Sequence, residues 1–170
     1  MLFRSGTGSG AVALALAAER RAAFIAASDR SERALGVARA NAGRLGMEER
    51  IHFFRGDWFS CLRPGKACFD LILSNPPYIP SAEIDRLQPE VARYEPREAL
   101  DGGVDGLSAI RAIIGQASDY LRPGGHLLLE IGHDQSAAVG RIAGASGAYA
   151  EWTFLRDYSG HLRVASIRRR

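Results

Sequence analysis

Four residues, Asn75, Pro76, Pro77 and Tyr78, follow an apolar run from Phe69 to Leu73 that is typical of a buried strand. Proline has a fixed φ and no N–H, so the carbonyl groups of this turn meet few competing donors. Together with the side-chain carbonyl of Asn75 they could hold both hydrogens of a planar –NH2 group, with the Tyr78 ring beside it. The alternative is a proline-rich turn in which Tyr78 only fills space. These residues alone do not decide between the two.

A glycine-rich run, Gly6-Thr7-Gly8-Ser9-Gly10, leads into a helical pattern over Ala11 to Glu19. Closely spaced glycines before a helix let the backbone approach a ligand, and the first N–H groups of the helix point at it. Asp29 ends the next apolar run and lies about 20 residues after Gly8, the spacing at which a carboxylate meets a ribose diol in a βαβ unit. Asp29 could instead cap the following helix, although Ser31 is the more natural N-cap. The glycines and the spacing together favour a nucleoside site.

A second acid, Asp57, precedes Trp58 at the end of the predicted strand Ile51 to Phe54. A carboxylate and an indole at a strand end could hold an adenine amine and cover its ring. A core tryptophan beside a turn aspartate is an equally good interpretation of this pair taken alone.

The composition fits one ordinary globular domain, with 170 residues, 46% hydrophobic and 24% charged. The net charge of +3 permits contact with nucleic acid but does not argue for it, and Arg168 to Arg170 are expected to form a frayed tail. Cys61, Cys68 and the four scattered histidines lack ligand spacing, so we expect no metal site and reduced thiols in a cytoplasmic protein. No apolar run reaches the length of a membrane span.

The remaining pattern alternates strands and helices, which predicts a doubly wound α/β fold with a mostly parallel sheet and an antiparallel last strand. Ile79 to Gly106 is expected to be a long functional loop. The other predicted elements are a strand Ala22–Ser28, a helix Ser31–Leu45 with Leu45 on its apolar face, a helix from Leu107 to Leu121 stopped by Pro123-Gly124-Gly125, a strand His126–Ile131, a helix Gln135–Ala145, and strands Trp152–Leu155 and Leu162–Ile167. Ligands of such a sheet bind at the carboxyl ends of its strands.

These motifs resemble the class I S-adenosylmethionine-dependent methyltransferases. Further strings narrow the resemblance to the HemK/PrmC family, which methylates a glutamine side-chain amide in peptide-chain release factors. The strings are Ile79-Pro80, Glu95 to Gly103, Asp105 to Leu107, Glu130 to Gly132 with Gln135, and Asp157 to Gly160. The resemblance implies a cytoplasmic enzyme that uses S-adenosylmethionine and has a release factor as protein partner. Neither a membrane nor sequence-specific nucleic acid is expected as a partner.

The resemblance also implies roles for the motif residues. Gly6, Thr7, Gly8, Ser9 and Gly10 would line the methionine and ribose region, Asp29 would hold the ribose, and Asp57 with Trp58 would border the adenine. Asn75, which also borders the cofactor, and the Pro76 carbonyl would grip the substrate amide, with Pro77 shaping the turn and Tyr78 packing against the amide plane.

Other functions stay open at this point. Methyltransferases that act on exocyclic amines of DNA or RNA bases could hold the –NH2 group with the same Asn-Pro-Pro-Tyr turn, but they need a basic groove to bind the nucleic acid. A glutamine methyltransferase that acts on a ribosomal protein is a nearer alternative, and only the strings after Asn75 argue against it. A nicotinamide-binding domain prefers G-x-G-x-x-G, whereas here Ala11 stands in the last position. A non-catalytic binding module is a further alternative.

The start of the chain departs from the family. Residues 1–170 are expected to form one catalytic domain without the family's helical domain ahead of it, and with a truncated first strand over Met1 to Ser5. Arg4 stands where the family has an acid that meets the amino group of the cofactor. We therefore expect unpaired backbone groups beside this strand, weak cofactor binding and, in the extreme, an inactive fragment.

Overall fold

Seven strands form one sheet in the computed structural model, which describes residues 1–63, 65 and 68–170. The strands are β1 (Leu2–Ser5), β2 (Ile25–Asp29), β3 (Ile51–Arg55), β4 (Phe69–Ser74), β5 (Leu121–Glu130), β6 (Tyr149–Arg156) and β7 (Leu162–Arg169). Their order is β3-β2-β1-β4-β5-β7-β6. Strands β1 to β5 pair in parallel, and β7 runs antiparallel to both β5 and β6. The predicted mostly parallel sheet with an antiparallel last strand is confirmed.

Helices cover both faces of this sheet. They are α1 (Ala11–Glu19), α2 (Glu32–Arg44), α3 (Pro89–Tyr94), α4 (Arg97–Leu100), α5 (Ser108–Ala117) and α6 (Ser136–Ala145). Residues of α1 and α2 pack with β2 and β3 in one apolar cluster, whereas α5 and α6 pack with β4, β5 and β7 in a larger one. Within the described residues, no helix is long and apolar enough to cross a membrane.

Strand β1 lies in the middle of the sheet and pairs along all four of its residues with β2 on one edge and β4 on the other. At the N-terminal end of β1, the Asp70 N–H donates to the Met1 carbonyl and the Leu2 N–H donates to the Phe24 carbonyl, both at 2.9 Å. The expectation of unpaired backbone groups beside β1 is therefore wrong, because these two bonds continue the pairing beyond the four-residue strand on both of its edges. The order of the strands switches sides at β1, because β2 and β3 lie on one side of it and β4 and β5 on the other. Such a switch point opens a crevice at the carboxyl ends of the parallel strands.

Two predicted helix ends are wrong. Helix α5 ends at Ala117, and Leu121 begins β5, where it pairs with Phe69 of β4 and is fully buried. The helical spacing continued to Leu121 by coincidence, since a buried strand residue is as apolar as a helix face. Leu45 is not on the buried face of α2 but is its exposed C-cap, at 59% exposure, whereas Ser31 is the N-cap as predicted.

The three C-terminal arginines do not form a frayed tail. Arg168 pairs with Glu151 at 2.6 Å across the last two strands, and Nε of Arg170 donates to the Tyr149 carbonyl at 3.0 Å. The guanidinium groups thus bind the neighbouring strand rather than solvent alone, a contact that the sequence run could not reveal.

The expected loop from Ile79 to Gly106 contains structure of its own, namely a 3-10 turn at Ile84–Arg86 and the short helices α3 and α4. Proline at the first turn of α3 suits a helix start, because that N–H has no helical partner. The segment closes on itself: Ile79 donates to the Leu100 carbonyl at 3.0 Å and accepts from Gly102 at 2.8 Å. It therefore leaves and rejoins the sheet beside the Asn-Pro-Pro-Tyr turn.

Candidate active site

The glycine-rich run and the Asn-Pro-Pro-Tyr turn meet at one edge of the sheet. The first follows β1 and the second follows β4, and these strands are neighbours, with Ser5 opposite Ser74. The Ser74 hydroxyl donates to the Ser5 carbonyl at 3.1 Å and joins the two strand ends. The two motifs, about 65 residues apart in sequence, are thus brought together by the parallel pairing of β1 with β4, as strand-end positions in a doubly wound sheet predict.

Glycine is needed at two positions of the first loop for different structural reasons. Gly8 has a φ of 56°, which glycine adopts without strain, and a Cβ there would meet nothing within 4 Å. Gly10, the N-cap of α1, has a φ of 84°, and a Cβ there would lie 3.0 Å from the Cβ of Ala38 in α2. Gly8 therefore presents open backbone that a ligand could approach, whereas Gly10 lets α1 and α2 pack closely.

The remaining residues of this loop hold it against the sheet. The Thr7 N–H donates to the Ser28 carbonyl at 2.8 Å, and the Ser9 carbonyl accepts from Nδ2 of Asn41 at 2.9 Å. Thr7 is buried, yet its hydroxyl has no hydrogen-bond partner in the part of the chain that the structure describes. A buried hydroxyl is normally satisfied, so a polar ligand group in this loop fits the unpaired Thr7 Oγ1.

Asp29, at the end of β2, links the loop to α2. Its Oδ2 accepts from the Gly8 N–H and its Oδ1 from the Ser31 N–H, both at 2.9 Å. The N-cap of α2 is Ser31, whose hydroxyl accepts from the Ala34 N–H at 3.2 Å. Each carboxylate oxygen has a second lone pair, so Asp29 can accept further hydroxyl groups while it orients the glycine loop.

Trp58 is the one non-glycine residue with positive φ, 47°, among the described residues. The Ser28 hydroxyl donates to its carbonyl at 3.2 Å, and its half-buried ring packs on the larger apolar cluster. The same ring reaches the glycine loop, because a Cβ on Gly6 would lie 3.9 Å from Cζ3 of Trp58. Asp57 is exposed, and its N–H donates to the Ser60 hydroxyl at 2.8 Å. The indole therefore packs on the core and also contacts the glycine loop, and its expected place beside an adenine stays a prediction.

A pocket of about 260 Å³ lies beside the second motif. One wall is formed by Asn75 to Ile79, and the other by Val91, Glu95, Ala99 and Leu100 of the segment that follows. Asn75 is exposed, whereas Pro76 is buried. Aliphatic and polar groups thus enclose a space of suitable character for one amide side chain, next to the acceptors of the turn.

Tyr78 is held at both ends. Its hydroxyl donates to Oε1 of Glu130 at 3.2 Å, and its carbonyl accepts from Nε2 of Gln135 at 2.9 Å. Burial, together with the nearby Glu130 carboxylate, raises the pKa of Tyr78, so the phenol stays protonated and can donate. The ring is therefore a fixed wall of the site and not a mobile side chain.

Arg4 lies at this edge too, as the sequence position implies. Its side chain is buried, at 5% exposure, and NH1 donates to the carbonyl groups of Ser5 and Leu73, while Nε has no partner among the described residues. Burial lowers the pKa of Arg4 to about 10, against the attraction of Glu130 and Asp29. The guanidinium remains a cation at neutral pH, so a buried positive charge lies between the ends of β1 and β4.

Glu130 and Gln135 belong to a string that carries the family resemblance, but the sequence alone predicts no role for either. Glu130 is the last residue of β5 and Gln135 follows that strand, and β5 is the neighbour of β4, so the strand order places both near the turn. The signal was present in Glu130-Ile131-Gly132, a polar residue and a glycine at the end of an apolar strand.

Comparisons with known proteins agree with this geometry. A family model described as a methyltransferase domain matches residues 5–151. The release factor glutamine methyltransferase of Gloeobacter violaceus is 49% identical over 94% of this chain and 55% of its own length. That of Caulobacter vibrioides is 48% identical over 94% of this chain and 54% of its own length. The chain thus spans about 55% of the length of these curated relatives.

Solved structures share the fold. A methyltransferase from Pyrococcus furiosus superposes with a TM-score of 0.71 at 20% identity, over 99% of this chain and 74% of that one. Magnesium protoporphyrin IX methyltransferase from Synechocystis, solved with bound S-adenosylmethionine, superposes with a TM-score of 0.62 at 20% identity. The superposition covers 100% of this chain and 70% of that one. The resemblance to release factor glutamine methyltransferases is confirmed by the curated relatives, and the chain belongs to the methyltransferase domain family.

Proposed function

We propose that this chain is the catalytic part of a protein-glutamine N-methyltransferase that uses S-adenosylmethionine and modifies peptide-chain release factors. The observation that carries the proposal is the meeting of an open glycine loop after β1 with a pocket of about 260 Å³ that Asn75 and Pro76 line after β4. Curated relatives named release factor glutamine methyltransferase, between 43% and 49% identical to the chain, support this choice of substrate.

The nucleoside end of the cofactor has suitable partners. The Asp29 carboxylate, already aligned by two backbone N–H groups, accepts the ribose hydroxyls. The Trp58 ring, beside Gly6, covers the adenine, and the exposed Asp57 accepts its amine. Open backbone at Gly8 and the unpaired hydroxyl of Thr7 face the sugar and methionine portion. When bound, the cofactor supplies a methyl group on positively charged sulfur, an electrophile that needs no further activation.

The substrate amide enters the pocket beside Asn75. Its two N–H groups donate to Oδ1 of Asn75 and to the Pro76 carbonyl, while the fixed Tyr78 ring packs against its plane. An amide nitrogen is a poor nucleophile because its lone pair is delocalised into the carbonyl group. The two acceptors stabilise the positive charge that develops on this nitrogen, as an oxyanion hole stabilises a negative one.

Positioning of the amide nitrogen against the methyl group supplies most of the remaining rate enhancement, since effective molarity can contribute roughly 7–11 kcal/mol. The N–CH3 bond forms as the S–CH3 bond breaks, which leaves a neutral thioether, and the methylated nitrogen then releases its proton to water. Because the nitrogen becomes acidic only after it carries the methyl group, no strong base has to act beforehand. A site without a histidine or cysteine nucleophile is therefore adequate for this chemistry.

One residue does not fit the cofactor. The amino group of its methionine portion is a cation, and the buried Arg4 guanidinium at the end of β1 would repel it. The proposal accordingly rests on the residues around the nucleoside and the amide, and cofactor binding by this chain is expected to be weak.

Radiolabelled S-adenosylmethionine, offered with purified release factor, ribosomal protein or nucleic acid in parallel, tests the proposal. Label should enter one glutamine of the release factor. As a control, the variant of this chain Gln116→Ala, altered on the exposed side of α5, should transfer label to the release factor equally well. Label in the ribosomal protein or the nucleic acid would overturn the substrate assignment. Absence of transfer at a cofactor concentration that saturates the chain would overturn the activity itself.

A further inference from the structure

Gln135 is a buried amide that none of the proposed ligand contacts uses. It stands just before α6 and is 8% exposed. Its Nε2 donates to the carbonyls of Tyr78, at 2.9 Å, and Gly106, at 3.2 Å, and its Oε1 accepts from the Gly132 N–H at 2.9 Å. One side chain thus joins three segments: the turn after β4, the end of the segment over the pocket, and the loop after β5.

Two glycines make these contacts sterically feasible. A Cβ on Gly106 would lie 2.4 Å from the Tyr78 oxygen and 2.7 Å from Nε2 of Gln135. Gly106 also has a φ of 72°, a conformation that other residues rarely adopt. A Cβ on Gly132 would lie 3.1 Å from Cδ of Gln135. Since the backbone closes around the amide on both sides, the position accepts a side chain of this length and leaves it no other orientation.

The turn depends on this contact because its own backbone offers little to hold it. Pro76 and Pro77 have no N–H groups, so the described hydrogen bonds that fix the turn act through Tyr78, by its hydroxyl to Glu130 and its carbonyl to Gln135. A shift of the Tyr78 backbone would be passed through Pro77, whose φ is fixed, to the Pro76 carbonyl and the Asn75 side chain. A displacement of about 1 Å at such a site can cost on the order of 10²-fold in rate.

We propose that Gln135 is a positioning residue for amide methylation, which holds the Asn-Pro-Pro-Tyr turn in the geometry that presents the Asn75 and Pro76 acceptors to the substrate. This inference rests on the proposed function, and it assigns the residue a role through the turn and not a contact with substrate.

Gln135→Met, similar in length but without hydrogen-bonding groups, tests the role in the full chain. We expect kcat with release factor to fall by about 10-fold to 10²-fold, while the Kd for S-adenosylmethionine changes less than about 3-fold, since no cofactor contact is lost. The matched control is Gln116→Met, whose exposed amide, among the described residues, donates to the Ala112 carbonyl of its own helix. A fall in cofactor affinity as large as that in kcat, or an unchanged kcat, would overturn the proposal.

Gln135→Glu adds a pH readout that a merely structural role would not produce. A buried carboxylate facing two carbonyl oxygens favours its neutral form, which can again donate to one of them. The ratio of mutant to wild-type kcat should therefore rise as the pH is lowered from 8 to about 6. A ratio independent of pH would contradict the hydrogen-bond role.

Backbone hydrogen exchange separates this inference from the proposed function. The Ile79 N–H, bonded to Leu100 directly after the turn, should exchange at least about 10-fold faster in Gln135→Met, whereas the Leu14 N–H in α1 should not change. If the wild-type chain methylates nothing but Ile79 responds in this way, the proposed function fails and the positioning contact stands. Unchanged exchange at Ile79 would overturn the contact whatever the activity.

Discussion

The backbone N–H of Gly8 donates to Oδ2 of Asp29 at 2.9 Å, and this bond makes the glycine loop and the end of β2 one unit. The other carboxylate oxygen accepts from Ser31 at the start of α2. A ligand hydroxyl that binds Asp29 would therefore meet a carboxylate whose orientation is already set by two backbone donors.

Asp29→Ala should weaken cofactor binding more than folding. Loss of a charge-assisted hydrogen bond to a ribose hydroxyl costs roughly 1.5–3 kcal/mol. Calorimetric titration with S-adenosylmethionine and thermal unfolding measure the two effects. Ser31→Ala is the matched control, since it removes the N-cap, worth roughly 0.5–2 kcal/mol of stability, without removing the carboxylate. Unchanged affinity with a large fall in Tm would instead make Asp29 a purely structural residue.

Asn75→Ala should lower kcat by roughly 10²–10³-fold, the effect of removing one preorganised electrostatic partner. Asn75 is exposed at the mouth of the pocket, so the fold should tolerate the change. Steady-state kinetics with labelled cofactor and release factor give kcat, and titration gives the cofactor Kd, which should change less. Turnover within a few-fold of wild type would mean that Asn75 is a turn residue only.

Arg4→Asp should strengthen binding of S-adenosylmethionine, because it replaces a buried cation by an acid that can meet the cofactor's amino group. The affinity of Arg4→Leu should lie between those of wild type and Arg4→Asp, since leucine removes the repulsion and supplies no attraction. Isothermal titration measures the three affinities, with thermal unfolding as a check that each chain is folded. Arg39→Asp, at an exposed ion pair on α2, controls for net charge. Equal, tight binding by wild type and Arg4→Asp would contradict this prediction.

Asp105 should contribute stability that disappears in acid. The hydrogen bond from Arg111, with that from the Leu107 N–H, lowers the pKa of Asp105 from 3.8 to about 2. Its ionised form is therefore favoured in the folded state, so the contribution is complete above the unfolded pKa and is lost as the pH falls through the folded one. The Tm difference between wild type and Asp105→Asn should be constant above pH 5 and vanish towards pH 2. A difference that does not depend on pH would exclude the ion pair as its cause.

The fold class was predictable because its signals are local. Ser31 was recognised as an N-cap, and the apolar run from Phe69 was recognised as a strand, which the structure extends to Ser74. Motifs at strand ends then had to share one edge of the sheet. Where the local signal was ambiguous, the prediction failed: Leu121 fits a helix face and a buried strand equally well, and only its pairing with Phe69 decides.

The sequence by itself determined the glycine loop, the acid about 20 residues beyond it, and the proline turn, because each is a short-range pattern with one backbone geometry. Tertiary structure decided which side chains support them. Gln135 reaches Tyr78 across 57 positions of sequence, and Glu130 reaches it across 52. Such contacts depend on strand order and on glycines that permit close approach, and neither is written in the spacing of nearby residues.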